Sequence, residues 1–156
     1  MDMFSHIVVM GLTLGGIIMQ FQAYNKIMIC NETIKNFVVE GIKLGYQFQI
    51  RYPSYRGTFL SCIEKLEFCI DSKKIDSSKV RININGKQFL IEELKDQYKE
   101  YWFILDRAMI TVMQDGGISK GEHKVTVDMF HRIPYAGYDG HYLALPSVVT
   151  KTLMAE

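Results

Sequence analysis

The chain has 156 residues, of which 48% are hydrophobic and 22% are charged, and its formal net charge is +1. This length and composition are typical of one globular domain with its own core. Proteins that bind nucleic acids or anionic membranes usually carry clusters of Lys and Arg. This chain has no such cluster and is almost neutral, which argues against both functions. The chain has an odd number of cysteines, namely Cys30, Cys62 and Cys69, and no Cys-x-x-Cys motif. This favours reduced thiols in a cytoplasmic protein.

Residues 1–25 are predicted to be an apolar N-terminal extension, since no charge occurs between His6 and Phe21. This stretch is too short to span a bilayer comfortably, and it lacks the basic start and cleavage site of a signal peptide. Three interpretations stay open: a start codon upstream of the biological one, with Met28 as the alternative; an arm that packs on a partner; or a first strand. We favour an arm, packed on a partner or poorly ordered, over a membrane anchor.

A strict alternation of apolar and polar residues predicts a long strand at 42–52. Six apolar residues, from Ile42 to Tyr52, fall on one parity, whereas a helix would scatter them around its circumference. Pro53 cannot donate to a ladder, so the strand should end there. Shorter strands are expected at 26–30 and 36–40, upstream of this strand.

Further strands follow downstream. Residues 58–71 are interpreted as a strand, although their first half also fits a helical stripe. Asn85-Gly86 predicts a type I′ hairpin between residues 80–84 and 88–91, because both turn positions need positive φ. Residues 92–101 could form a helical turn or a loop. The remaining elements are strands at 101–105 and 108–113, a turn-rich link at 114–121, a last long strand at 122–133 and a C-terminal tail at 146–156.

Short strands joined by Gly, Asn, Asp and Ser turns predict an all-β domain at residues 26–145. An antiparallel β-sandwich or jelly-roll-like barrel with little helix fits this pattern. Both long strands end in Arg-x-Pro followed by Tyr, at Arg51 and at Arg132. If the two ends share one edge, their Arg and Tyr residues form a polar, aromatic rim. The simpler interpretation, which we place slightly ahead, is that Pro ends each strand and Tyr packs over it.

No complete catalytic set is evident in the sequence. The spacing of His6, His123, His131 and His141 suggests no metal site. Parity places His131 on the inward face of its strand, where a histidine is more often a core residue bonded to a backbone carbonyl than a ligand. Glu64 interrupts an inward parity, and a β-bulge that turns it outward is favoured over a buried functional carboxylate. Trp102 lies in an aromatic segment that favours the core over an interface.

Four segments carry a resemblance to a known family. Three of them are Tyr55–Glu64, Val80–Lys87 and Tyr101–Arg107, and the fourth is a split segment made of Gly121–Val125 and Arg132–Tyr135. The most distinctive motifs are Tyr-Arg-Gly, Tyr-Trp-Phe-Ile-Leu-Asp and Arg-Ile-Pro-Tyr. In this order and spacing they resemble the small β subunit of bacterial C-glycoside deglycosidases, over about residues 28–140.

The resemblance implies a bacterial hetero-oligomer. In that family a larger, barrel-type α subunit carries a divalent metal, usually manganese, and no cofactor is expected in this chain. The assembly breaks the C–C bond between a 3-keto sugar and an aromatic, flavonoid-type aglycone. The keto group acidifies the adjacent C–H, a base starts a β-elimination-type cleavage, and the metal stabilises the enolate.

Under this hypothesis the chain supports the α subunit, lines part of its substrate cleft and is inactive alone. The candidate cleft or interface residues are Tyr55, Arg56, Trp102, His131, Arg132 and Tyr135. One alternative is a non-catalytic carbohydrate-binding sandwich whose aromatic faces stack on sugars. Another is a lone hydrolase that uses Glu64 with Asp106 or Asp128.

Overall fold

The computed structural model describes residues 22–138 and 141–156, with only the backbone at 135–138 and 141. The prediction for the apolar residues 6–21 falls outside the described residues. Within the described part of the chain, no helix is long and apolar enough to cross a membrane.

Strands dominate the described chain, and the remaining regular structure consists of short 3₁₀ turns. In chain order the strands are β1 (Lys35–Val39), β2 (Ile42–Ile50), β3 (Thr58–Phe59), β4 (Ile63–Ile70), β5 (Lys73–Lys74), β6 (Val80–Ile84), β7 (Lys87–Leu90), β8 (Tyr101–Trp102), β9 (Ala108–Met113), β10 (Gly121–Tyr138) and β11 (His141–Ala155). The 3₁₀ turns are Ala23–Ile27, Leu60–Cys62, Ser77–Lys79 and Ile91–Asp96.

Two antiparallel sheets form the layers of a sandwich. One has the strand order β1-β2-β9-β6-β7 and the other the order β11-β10-β4-β5, while β3 and β8 pair as a small separate ribbon. The inner faces meet in one hydrophobic core, in which the rings of Phe48 and Phe68 lie edge to face at 5.7 Å. The predicted all-β sandwich is therefore confirmed.

The sequence patterns located several strands correctly. β2 buries Tyr46, Phe48 and Ile50 on one parity, as the alternation predicted. The hairpin of β6 and β7 turns at Asn85 and Gly86, whose φ angles are 55° and 72°. Positive φ at both positions is the type I′ geometry that this dipeptide favours.

Other predictions were wrong. Residues 26–30 form no strand: a 3₁₀ turn covers Ala23–Ile27, and Ile29 makes a single bridge to Ile50. Only Tyr101–Trp102 of the expected strand 101–105 is extended. Residues 58–71 are broken by a 3₁₀ turn at Leu60–Cys62, between β3 and β4.

The largest difference is at the C-terminal end of the domain. Residues 122–133 are not the last long strand, and residues 146–156 are not a tail, because β11 pairs antiparallel with β10 from Ala155 to Leu143. β10 also runs through Pro134 to Tyr138. Proline is tolerated there since pairing with β4 has already ended at His131 and the β11 register is interrupted beyond Ile133.

β2 offers a matched pair of positions for testing the sandwich. Phe48 is 2% exposed and Ile42 is 60% exposed, although both lie on the same parity. We expect Phe48→Ala to lower the free energy of unfolding by about 3–5 kcal/mol, because it leaves a cavity between the sheets. Ile42→Ala should change it by less than about 0.5 kcal/mol. Urea denaturation measures both, and equal losses would contradict this packing.

Candidate functional site

A buried chain of hydrogen bonds connects the two sheets at one end of the sandwich. His131 on β10 is fully buried; its Nδ1 lies 2.7 Å from the hydroxyl of Tyr52, and its Nε2 lies 2.8 Å from Oγ of Ser147 on β11. Tyr52 follows β2, so these hydrogen bonds link the five-stranded sheet to the four-stranded one. The same hydrogen bonds place the two Arg-x-Pro segments, Arg51–Pro53 and Arg132–Pro134, at the same end of the sandwich, although Pro134 does not end its strand.

The hydrogen bonds to Tyr52 and Ser147 suit the neutral form of His131. Each hydroxyl can donate or accept, so one ring nitrogen can accept while the other donates. Burial lowers the pKa of His131 to about 4, because the charged imidazolium loses its hydration. The inward position predicted for His131 is confirmed, but its expected backbone-carbonyl partner is wrong.

Arg132, the next residue, projects from the opposite face of β10 and is held from three sides. Its Nη2 donates to the carbonyl oxygen of Ser61 at 2.5 Å, and its Nε lies 3.2 Å from Oε1 of Glu64. The guanidinium carbon lies 5.4 Å from the centre of the Tyr142 ring. An arginine held in this way presents a fixed positive charge.

A β-bulge brings Glu64 to Arg132. Along β4, Lys65 pairs with Phe130 and Ile63 pairs with His131, so Glu64 is the extra residue between them. The bulge turns the Glu64 side chain to the surface beside Lys65, as the sequence analysis favoured. The buried-carboxylate alternative for Glu64 is therefore wrong.

The structure divides the candidate residues into a buried set and a surface set. Trp102 is fully buried, as its sequence context favoured, and its ring lies 5.7 Å from that of Tyr52, which also contacts His131. Tyr55 and Arg56 are exposed on the corner after β2, and the Tyr55 ring lies 6.0 Å from that of Tyr24.

Trp102 and His131 are therefore core residues, whereas Tyr55, Arg56 and Arg132 reach the surface. The side chain of Tyr135, the sixth candidate, lies outside the described residues.

The sequence analysis did not identify the partners of His131 and Arg132. Tyr52 could have been found, because a tyrosine on an inward parity needs a partner for its hydroxyl. Ser147 and Tyr142 were missed since their segment was not assigned to a strand. Glu64 was noticed, but no short-range signal pairs it with Arg132, which lies on another strand.

A second polar cluster lies at the start of β10. His123 Nδ1 is 2.6 Å from Oδ2 of Asp71, and Nε2 is 2.7 Å from the Ser119 carbonyl oxygen. The carboxylate and the carbonyl only accept, although the Ser119 hydroxyl also lies 3.3 Å from Nε2, so the arrangement favours the protonated ring, in which both nitrogens donate. The hydrogen bond to Asp71 raises the pKa of His123 and lowers the pKa of Asp71, which also accepts from the Lys124 amide.

Two of the carboxylates that the hydrolase alternative names are held in ion pairs. Glu64 is paired with Arg132, and Asp128 lies 3.0 Å from the ammonium of Lys65. In the part of the chain that the structure describes, no group of three or more His, Cys, Asp or Glu side chains could hold a metal ion.

The buried His131 should make stability depend on pH. Its pKa is about 4 in the folded chain and about 6.5 in the unfolded chain, so its contribution is complete above pH 6.5 and is lost as pH falls to 4. The loss should be about 3 kcal/mol. His131→Gln should remove this dependence in urea titrations at pH 7.5 and 4.5, whereas the control Thr126→Ala, which removes a hydroxyl that cannot titrate from the outer face of the same strand, should keep it. A His131→Gln protein with an unchanged slope would contradict the assignment.

His123 should act in the opposite direction. Because its folded pKa is raised, its contribution is complete below about pH 6.5 and is lost as pH rises through the folded value. Asp71→Asn should therefore cost more stability at pH 6 than at pH 9 in urea denaturation, by less than about 1 kcal/mol because Asp71 is half exposed and solvent screens the pair. Asp76 caps Ser78 without a histidine, so Asp76→Asn is a control whose effect should not change over this interval. Equal losses for Asp71→Asn at both pH values would contradict a cationic His123.

Comparison with known proteins identifies the family. Residues 24–135 match the family described as the C-glycoside deglycosidase beta subunit. The chain is 33% identical over 110 residues to the "3'-dehydrocarminate deglycosidase beta subunit" of Microbacterium sp, covering 70% of this chain and 82% of that protein.

Two other relatives are named "C-glycoside deglycosidase beta subunit". The protein of Microbacterium trichothecenolyticum is 34% identical over 69% of this chain and 82% of its own length. That of Eubacterium cellulosolvens is 33% identical over 51% of this chain, and the match spans only 54% of the relative. The match covers β1 to β9 and the part of β10 that carries His131 and Arg132. The chain belongs to the C-glycoside deglycosidase beta subunit family.

Proposed function

We propose that this chain is the accessory β subunit of a cytoplasmic, bacterial, hetero-oligomeric C-glycoside deglycosidase. The observation that carries the proposal is the family match over residues 24–135, which spans most of the sandwich. The enzyme cleaves the C–C bond between a 3-keto sugar and an aromatic, flavonoid-type aglycone, in a lyase-type reaction. The subunit names of the relatives support a companion chain.

The proposal assigns the metal and the base to that companion. This assignment is supported by the described residues of the chain, which contain no group of three or more His, Cys, Asp or Glu side chains that could hold a metal ion. A larger, barrel-type α subunit holds the ion, with manganese as the expected metal. The role of the present chain is to stabilise that subunit and to complete its substrate cleft.

Arg132 is the residue through which this chain is proposed to act on substrate binding. Ser61 and Glu64 fix the guanidinium, and Tyr142 covers one of its faces, so little side-chain entropy is lost when it meets a ligand. A fixed cation at the edge of a closed cleft attracts the electron-rich oxygens of a keto sugar or phenolic aglycone. Closing the cleft also removes water, which strengthens electrostatic interactions inside it.

Reconstitution tests the proposal. The full chain, the α subunit of the same enzyme and their mixture are each assayed on a 3-keto C-glycoside. We expect cleavage only from the mixture; full activity of either protein alone would contradict an accessory role. Calorimetric binding of free sugars to this chain alone would instead favour the carbohydrate-binding module.

Arg132→Ala should lower kcat/KM of the reconstituted enzyme by about 10- to 100-fold, because it removes a fixed cation from the cleft. Arg81→Ala is a matched control, since Arg81 is also half-buried and donates to a backbone carbonyl, that of Ser78, at 2.8 Å. It should leave kcat/KM within about twofold. Both variants are compared at equal complex concentration, and equal effects would exclude a specific role for Arg132.

A further inference from the structure

Three consecutive apolar side chains are exposed on the loop after β8. Phe103, Ile104 and Leu105 are 58%, 37% and 64% exposed. A run of this kind costs solubility and contributes little to the core, so it is unusual unless it serves binding.

The loop is held in a defined shape. The buried Trp102 donates from Nε1 to the Asp106 carbonyl oxygen at 2.9 Å, and the Asp106 amide donates to the Phe103 carbonyl oxygen at 3.1 Å. Leu105 has a φ of 71°, a conformation that costs a residue with a side chain about 1–3 kcal/mol. The fold therefore maintains a strained backbone in order to present an apolar residue to solvent, and such strain concentrates at functional sites.

Neighbouring aromatic residues extend this surface. The Tyr101 ring lies 5.0 Å from that of Phe59 and 4.7 Å from that of Phe103, and Tyr98 is exposed nearby in the chain. The backbone fits closely beneath, because a Cβ at Gly57 would lie 2.6 Å from the Tyr101 ring. We call the whole surface the aromatic patch; it consists of Phe59, Tyr98, Tyr101, Phe103, Ile104 and Leu105.

The size of the aromatic patch fits one side of a subunit interface. Its large side chains offer about 200 Å² each and are mostly 37–67% exposed, which gives on the order of 500 Å² of apolar surface. A stable interface buries about 800 Å² per partner, with an aromatic-rich apolar centre and a polar border. The patch supplies such a centre, and the charged side chains of Lys99, Asp106 and Arg107 border it in the sequence.

We infer that the aromatic patch is the surface through which this chain docks on the companion subunit of the deglycosidase. The inference rests on the proposed function and names its docking surface. The partner surface is an uncharged, apolar recess that accepts Phe103 and Leu105. A second copy of this chain is the other occupant, which the experiment below distinguishes from the companion subunit.

The experiment measures the affinity of the full chain for the purified α subunit by surface plasmon resonance. Phe103→Ser and Leu105→Asn should each raise Kd at least 30-fold, as expected for residues at the centre of an interface. Asn tolerates positive φ, so Leu105→Asn keeps the backbone and removes only the apolar side chain. Val38→Ser is the control, since Val38 is also exposed but lies on β1, and it should leave Kd unchanged.

The outcomes separate the two proposals. If the wild-type chain binds and both patch variants bind equally well, the docking surface is wrong and the proposed function stands. If the wild-type chain does not bind the α subunit, both are wrong. Self-association that Leu105→Asn abolishes, with unchanged α binding, assigns the patch to a second copy and overturns the inference.

Hydrogen exchange tests the same docking surface without relying on variants that could misfold. It is measured on the wild-type chain with and without the α subunit, so it does not depend on any substitution. Protection of the 101–106 amides on complex formation supports docking there, and unchanged exchange at these amides overturns it.

Discussion

The hydrogen bonds that link Tyr52, His131 and Ser147 fix how the two sheets meet at the end of the sandwich that carries Arg132. The rest of the contact between the sheets is largely apolar, and apolar contacts tolerate small sliding movements. A hydrogen bond is directional, and a buried group left without its partner costs about 1–3 kcal/mol. These hydrogen bonds therefore set the position of β10 relative to the end of β2.

Arg132 owes its position to this arrangement. Because His131 points inward, the next residue on β10 points outward, toward the bulged segment of β4. The bulge supplies the carboxylate of Glu64, the turn at Leu60–Cys62 supplies the carbonyl of Ser61, and β11 supplies Tyr142. A buried neutral residue and a surface cation thus occupy adjacent positions on one strand, each with partners from other strands.

Local patterns in the sequence predicted the elements that local interactions determine. The alternation in β2 and the Asn85-Gly86 turn needed only neighbouring residues, and both were correct. β11 was missed because Ser147 and Lys151 interrupt its inward parity, and each is satisfied by a distant group: His131 in one case and the Ile29 carbonyl in the other. The expected strand at 101–105 failed because the Trp102 side chain closes a loop onto the Asp106 carbonyl. The candidate rim could be located, but its partners required the register of four strands.

The bulge at Glu64 has a consequence for the kinds of genetic change that this strand can tolerate. Loss of a single codon usually shifts every later residue of a strand to the wrong face. At position 64 the same loss removes the surplus residue and restores a regular ladder with β10. An in-frame deletion of Glu64 should therefore spare the fold while leaving Arg132 without its carboxylate. At this one position, a deletion changes the local charge without changing the strand register.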